Sequence, residues 1–244
     1  MKRLFIAALF IPVMSMAQEK QAAQSVPKNI FRVNLSSLVL KNYHVTYERA
    51  LSKKISLSVS YRLMPKGSLP FKDFFDNSVS GSALQFSGIQ VGNSAITPEL
   101  RIYLGKGNMK GFYLAPYARF ASFDATTPIT YSSSGNDKTG DFIGRVTSTS
   151  AGIMLGWQFN LSKKLVMDLQ IIGGHFGNCS GNLDLKPIVP LSAQEITSLQ
   201  NSLNGIQVEP FDIKSTVTAS GANIQVTGPW AGIRGANIGI GFRF

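Results

Sequence analysis

The sequence predicts an all-β fold, an antiparallel transmembrane β-barrel of about eight strands with a short helix in its last long connection. Three observations carry this expectation. Apolar and polar residues alternate through most of the chain, the period of a strand with two unlike faces. Charged residues make up only 15% of 244 residues although 44% are hydrophobic, whereas a soluble protein carries roughly 25% charged residues. Short and long connections alternate between the strand segments, as they do when one barrel end carries turns and the other carries loops.

Composition also excludes several functions. A single Cys forbids an internal disulfide, and the 2 His, Cys179 and scattered acids lack metal-ligand spacing, so no cofactor or metal is expected. The formal charge is +11. Its Lys and Arg are dispersed rather than clustered, which argues against a nucleic-acid partner.

The chain begins MKRLFIAALFIPVMSMAQ, with basic Lys2 and Arg3, an apolar run to Met14, and the small-x-small exit Ser15-Met16-Ala17. This order predicts a signal peptide over residues 1–17, cleaved after Ala17. The apolar run is too short for a spanning helix of about 20 residues, and no Cys follows to take a lipid. Residues 18–28 form a flexible polar lead and 29–244 the barrel domain.

The strands follow in order. The least secure by length is Ile30 to Ser36, followed by Tyr43 to Leu51. In ISLSVSYRL, Ile55, Leu57, Val59, Tyr61 and Leu63 share one face while Ser56, Ser58, Ser60 and Arg62 share the other. ITPELRIYL sets Ile96, Leu100, Ile102 and Leu104 against Thr97, Glu99, Arg101 and Tyr103; FYLAPYARF sets Phe112, Leu114, Ala118 and Phe120 against Tyr113, Tyr117 and Arg119. Further strands fit at Thr147 to Phe159, Leu165 to Phe176 and Ile233 to Phe244. Short connections fall at Leu51 to Lys54, Gly105 to Gly111 and Asn160 to Lys164, and long ones at Met64 to Asn93, Asp124 to Val146 and Gly177 to Trp230. A connection near Ser37 to Asn42 is short where the rule asks for a long one. The repeated LSKK turns are read as one turn chemistry used twice. Within the last connection, SAQEITSLQNSLNG has Ser192 and Glu195 at capping-box spacing and ends on Gly205, predicting a helix with Ile196, Leu199 and Leu203 on one face.

Which face meets lipid is decided by the polar positions. Facing water, they would be rich in Lys and Glu; they are Ser, Thr, Asn, Gln, Gly, Tyr, Arg and isolated acids, which suit a packed polar lumen. Arg32, Glu48, Arg62, Glu99, Arg101, Arg119, Asp168 and Arg243 all turn inward in this register. Unpaired burial would be very costly, so they are expected to form an Arg–carboxylate network, with Glu48, Glu99 and Asp168 as acceptors. Tyr43, Tyr61, Phe112, Trp157, Phe159, Phe242 and Phe244 fall outward near strand ends, as an interfacial girdle.

The last residues, GANIGIGFRF, place Ala236, Ile238, Ile240, Phe242 and Phe244 on one face. A final amphipathic strand of this kind, ending on an aromatic residue, resembles the assembly signal of Gram-negative outer-membrane barrels, here carried by Phe242 and Phe244. The strand plan resembles the small OmpA and OmpX type barrels. The run YHVTYERALSKKISLSVSYRL, with Tyr47, Glu48 and Arg49, is similar to a family of small outer-membrane barrels of unknown function, which implies no activity. These resemblances imply a cell outer membrane location, with outer-membrane lipid, lipopolysaccharide and the barrel assembly machinery as partners and an unidentified external ligand.

Chemistry-bearing groups are few. GKGNMKG runs from strand to strand and not into a helix, so it is expected to be a hairpin turn and not a phosphate loop. His44, with Ser36, Ser37 and Asp168 as conceivable partners, admits a lipid-modifying enzyme; His175 is expected outward beside Ile171, and Cys179 is expected as an inert loop thiol. The leading expectation is a non-enzymatic barrel with a structural or surface-recognition role. A rim-His lipid enzyme and a soluble lipocalin-like binder with an apolar interior are the alternatives.

Overall fold

The computed structural model describes residues 27–68, 89–133, 136–205 and 209–244. The expected signal peptide, 1–17, and nearly all of the 18–28 lead lie outside the described residues. In chain order the elements are β1 (Asn29–Asn34), α1 (Leu35–Leu38), β2 (Tyr43–Ala50), β3 (Ile55–Ser68), β4 (Gln90–Tyr103), β5 (Gly111–Ser133), β6 (Asn136–Asn160), β7 (Leu165–Pro187), α2 (Ala193–Asn204), β8 (Asp212–Thr218) and β9 (Gly221–Arg243).

Every pairing is antiparallel, and β1 pairs with β9 from Ile30↔Arg243 to Asn34↔Gly239, which closes a ring in the order β1-β2-β3-β4-β5-β6-β7-β9. Closure removes the unpaired edges that lipid cannot satisfy. Backbone bonds between Asn29 and Phe244, 3.0 and 2.9 Å long, extend this seam to the last residue. The ring therefore has the strand number the alternation predicts, and β8 is additional. It pairs with the Gly221–Thr227 end of β9, on the edge that the short β1 does not reach.

The barrel is apolar outside and polar inside. Phe31, Leu57, Val59, Tyr61, Ile96, Leu100, Phe120, Ile153 and Ile238 are exposed, while Glu48, Ser56, Ser58, Glu99, Arg101 and Gln158 are buried. This inverts the soluble pattern, corrects the lipocalin-like alternative, and makes the fold that of a transmembrane barrel. Tyr43, Tyr61, Trp157, Phe242 and Phe244 are exposed on the outer surface, with Phe112, Trp157 and Phe159 in contact at 6.1 and 5.8 Å between neighbouring rings.

The strands are much longer than the alternation indicates. β5, β6, β7 and β9 run for 23, 25, 23 and 23 residues, where about 9–11 suffice to cross a membrane. Much of the expected connections 124–146 and 177–230 is therefore strand, as are the two ends of 64–93, at 64–68 and 90–93, while 69–88 lie outside the described residues. The reason is solvent: beyond the apolar belt both faces of a ribbon are wet, so the period-2 signal fades into Thr, Ser, Asn and Gly. Cys179 accordingly lies in β7 and not in a loop, buried with its Sγ 3.9 Å from the Pro229 carbonyl.

The turns follow local chemistry. Leu51 and Ser52 donate to the Ile55 carbonyl, and Leu161 and Ser162 donate identically to that of Leu165; Ser52 and Ser162 each accept two amides of their own turn. The LSKK repeat is one turn used twice. At the opposite end, α2 begins with the capping box of Ser192 and Glu195, and Gln200 ties it to β8 by accepting from the Val217 amide at 2.9 Å.

One irregularity reorients the lumen. Gly156 pairs with Gln170 but Leu155 with Ile172, leaving Ile171 as an extra residue in β7. Across the next ladder the register is unbroken, with Gln170 facing Asn237 and Ile172 facing Gly235, so that Ala236, left-handed at φ 51°, stands opposite Ile171 and shares the irregularity. A bulge inverts the side-chain parity beyond it. His175, expected outward, therefore turns inward and meets Tyr117, and Arg234 turns inward with it.

Candidate functional site

The candidate site is the lumen, which divides into layers along the axis. At the end carrying the termini and short turns, the 105–111 turn folds over the barrel mouth. Asn108 donates its amide to Lys53 at 2.6 Å, and Met109 is buried with φ 51°. Gly107 is required there, since at φ +77° a Cβ would sit 2.2 Å from the Lys53 carbonyl oxygen. Gln158 donates to the Met109 carbonyl at 2.7 Å, and Arg243 donates to the carbonyls of Asn108 and Met109 at 3.1 and 2.9 Å. The expected hairpin is thus also a plug.

Above the plug lies a closed ion network. Glu48, from β2, pairs with Arg32 of β1 and Arg101 of β4, and accepts from Ser56 and from the Tyr103 hydroxyl at 2.6 Å. Asp168, from β7, takes two bonds from Arg101 at 3.0 and 3.2 Å, one from Tyr113 at 3.0 Å, and lies 3.7 Å from Arg32. Glu99 completes the set, 3.1 Å from Arg101. Arg101 is wholly buried, shared by three carboxylates from three strands, and its guanidinium lies 4.4 Å from the Tyr113 ring centre. Such mutual satisfaction is what makes buried ions tolerable.

The third layer, toward the long strands, holds Arg62, Arg119, Arg234, His44 and His175. Arg119 donates to Thr97 Oγ1 at 3.2 Å, Arg234 lies 3.5 Å from Glu99 Oε1 and 4.7 Å from the Tyr117 ring, and Tyr117 contacts His175 Nδ1 at 3.2 Å.

Every expected lumen residue, Arg32, Glu48, Arg62, Glu99, Arg101, Arg119, Asp168 and Arg243, lies on the inner face, but they do not form one network. The carboxylates engage Arg32, Arg101 and Arg234; Arg62, Arg119 and Arg243 have no carboxylate within ion-pair distance among the described residues. Their strand positions put Arg243 below the acids and Arg62 and Arg119 above them. Sequence reasoning missed Arg234, because parity counted from Arg243 sends it outward. It also left Gln158, Tyr103, Tyr113 and Met109 out of the set, although alternation with Trp157 and Phe159 marks Gln158 as inward.

The arrangement that the rim-His alternative would need does not assemble. Ser37 Oγ donates to the Asn34 carbonyl, Ser36 Oγ donates to the Asn34 side chain and accepts the Ile238 amide, and Asp168 is committed to Arg101 and Tyr113 in the layer below. His44 instead faces Arg62 across the β2–β3 ladder. On the outer surface, Phe242 and Phe244 stack at 6.4 Å, with Lys164 5.8 Å from the Phe242 ring.

No curated protein sequence matches the chain. Among solved structures it is similar to the N-terminal β-barrel domain of Pseudomonas aeruginosa OprF, at 12% identity and a TM-score of 0.32 over 89% of this chain and 98% of that one. It is also similar to CarO of Acinetobacter baumannii, at 11% identity and a TM-score of 0.38 over 91% of this chain and 100% of that one. A family model described as "Protein of unknown function (DUF3575)" matches residues 5–181, through the bulge of β7. That match takes in most of the chain and most of the lumen-lining strands, and the protein belongs to the DUF3575 family.

Proposed function

We propose that the protein is a non-enzymatic outer-membrane β-barrel that holds long surface-exposed strands and the α2–β8 unit outside the cell, in a structural or surface-recognition role. The observation that carries this reading is the inverted barrel itself: an apolar belt outside, and inside it an ion network too well paired to be a catalytic site and a plug too tight for a broad pore. The basic and apolar leader supports export, and the aromatic girdle supports lipid on both sides of the belt. Outer-membrane lipid, lipopolysaccharide and the barrel assembly machinery are the proposed partners, with Phe242 and Phe244 as the residues the machinery reads.

The non-enzymatic reading has its own support. His44 has four arginines in electrostatic reach, Arg62, Arg234, Arg119 and Arg32, and its conceivable serine partners are tied into α1. A lipid-modifying His needs an acid to orient it. The test is fractionation of intact cells, with heat-modifiable gel mobility of the detergent-extracted protein and external protease applied to the α2–β8 region. Folded protein in the outer-membrane fraction, clipped only from outside, is the expected result. A soluble periplasmic protein, or clipping only after the outer membrane is opened, would overturn it.

A further inference from the structure

Charge is unevenly distributed along the lumen. The three carboxylates sit with Arg32 and Arg101, while Arg62, Arg119 and Arg234 gather one layer up with two histidines. Each guanidinium of this upper group lies in electrostatic reach of the other two. Among the described residues the one carboxylate within ion-pair distance of them is Glu99, 3.5 Å from Arg234 and closer, at 3.1 Å, to Arg101. Arg234 is 7% exposed, and among the described residues its guanidinium meets only the Glu99 carboxylate and Tyr117, neither at full hydrogen-bond geometry; Arg62 Nε and His44 Nδ1 are buried without a partner among the described residues. Three cations held together in a low-dielectric lumen repel one another strongly, and unmet N–H donors add their own desolvation cost.

We infer that this layer is a binding site for a doubly charged oxyanion of the phosphate or sulfate class, free or as a phosphomonoester. Guanidinium forks match pairs of oxygens on such an anion, and two negative charges with several acceptor oxygens meet what three arginines present. The approach is from the loop end, because Met109 and its turn close the other. A cavity of about 360 Å³ lies at that end, lined by the inward-facing Asn42, Val91, Asn93, Phe123, Val146 and Leu183. This inference rests on the lumen alone and holds wherever the barrel resides.

The test titrates inorganic phosphate, sulfate and glucose 6-phosphate, against chloride of matched ionic strength, into the full folded chain in a non-ionic detergent. Calorimetry reads binding, and the temperature of the gel-mobility shift reads stabilisation. Saturable binding and stabilisation are expected, with Arg234→Gln and Arg119→Gln each weakening Kd about tenfold or more, Arg234→Lys by less, and Arg145→Gln, paired with Asp124 on the outer face, leaving it unchanged. Equal affinity for phosphate and glucose 6-phosphate would mark a free ion as the ligand; tighter binding of the ester would mark a phosphorylated sugar or headgroup. If Arg234→Gln does not fold, Arg119→Gln decides. The inference is overturned if no oxyanion acts beyond chloride, or if both glutamine variants bind as tightly as the parent. It is equally overturned if binding emerges only in Asp73→Asn/Asp76→Asn, which would show that the chain's own β3–β4 connection supplies the anion.

Discussion

Replacing Glu48 by Gln tests whether the lower ion network holds the barrel together. The substitution keeps side-chain volume but removes a charge that Arg32 and Arg101 share, and puts an amide donor among four donors, those two arginines, Ser56 and Tyr103. The partners are unequally affected. Arg101 keeps Asp168 at 3.0 Å and Glu99 at 3.1 Å, so its charge stays met. Arg32 keeps only Asp168 at 3.7 Å and the Gln158 oxygen at 2.7 Å. One wholly buried guanidinium left mostly uncompensated costs about 3–5 kcal/mol. The double variant Arg32→Met/Glu48→Leu leaves neither charge behind and should cost clearly less than the two single changes together, since a buried pair replaced whole is close to neutral. Equilibrium urea unfolding from lipid bilayers, followed by tryptophan fluorescence, measures both. A Glu48→Gln chain within about 1 kcal/mol of the parent, the size of an ordinary point change, would refute the network as a stabilising unit. So would strict additivity of the pair.

Three further outcomes follow from the same geometry. Ile238→Lys, on the lipid face of β9, should destabilise by about 2–4 kcal/mol while Asn237→Ser on the lumen side is milder; the reverse ranking in the same urea assay would turn the barrel inside out. Deleting Met109 and Lys110 should convert an electrically silent barrel into one with small conductance steps in planar bilayers, because it removes the lid that Gln158 and Arg243 hold by its carbonyls; silence in the deletion chain would show that the ion network alone seals the lumen. Removing Phe244, which exchanges two backbone bonds with Asn29 across the closing seam, should lower folded protein in the membrane and raise a protease-sensitive fraction, whereas Cys179→Ser should change neither.

What the sequence disclosed is what lipid and lumen impose together. Where Ile55 to Leu63 crosses the apolar belt, one face needs hydrocarbon and the other needs polar packing, so alternation registers the fold and sends Arg62, Glu99 and Arg101 inward. Local turn chemistry is equally legible: LSKK and the Ser192–Glu195 box form as their spacing predicts because their partners lie within a few residues. Above the belt, constraint on the two faces relaxes, and Thr126 to Ser133 or Asp212 to Thr218 forms strand with no apolar rhythm to announce it. That the lumen ions pair is legible, but which acid meets which arginine is not, because whether Asp168 meets Arg101 or Arg243 depends on relative strand heights, which alternation does not encode.

The paired bulge at Ile171 and Ala236 is where local pattern and tertiary structure part most sharply, and it is also what gives the upper lumen its charge. Counted without it, β9 would aim Arg234 at lipid and Ile233 into the barrel, and β7 would put His175 on the outer surface. With Ile171 extra in β7 and the left-handed Ala236 opposite it in β9, both apolar positions at the bulge, Ile171 and Ile172, face outward, Ile233 remains exposed, and Arg234 and His175 join Arg62, Arg119 and His44. Ala236 adopts a left-handed backbone, at φ 51°, to do so, a conformation that disfavours any residue with a Cβ. The Glu99 and Tyr117 contacts that Arg234 gains offset part of that cost, but they also set a third guanidinium beside two others. The cost is intelligible if the third cation is required to complete a site for an anion.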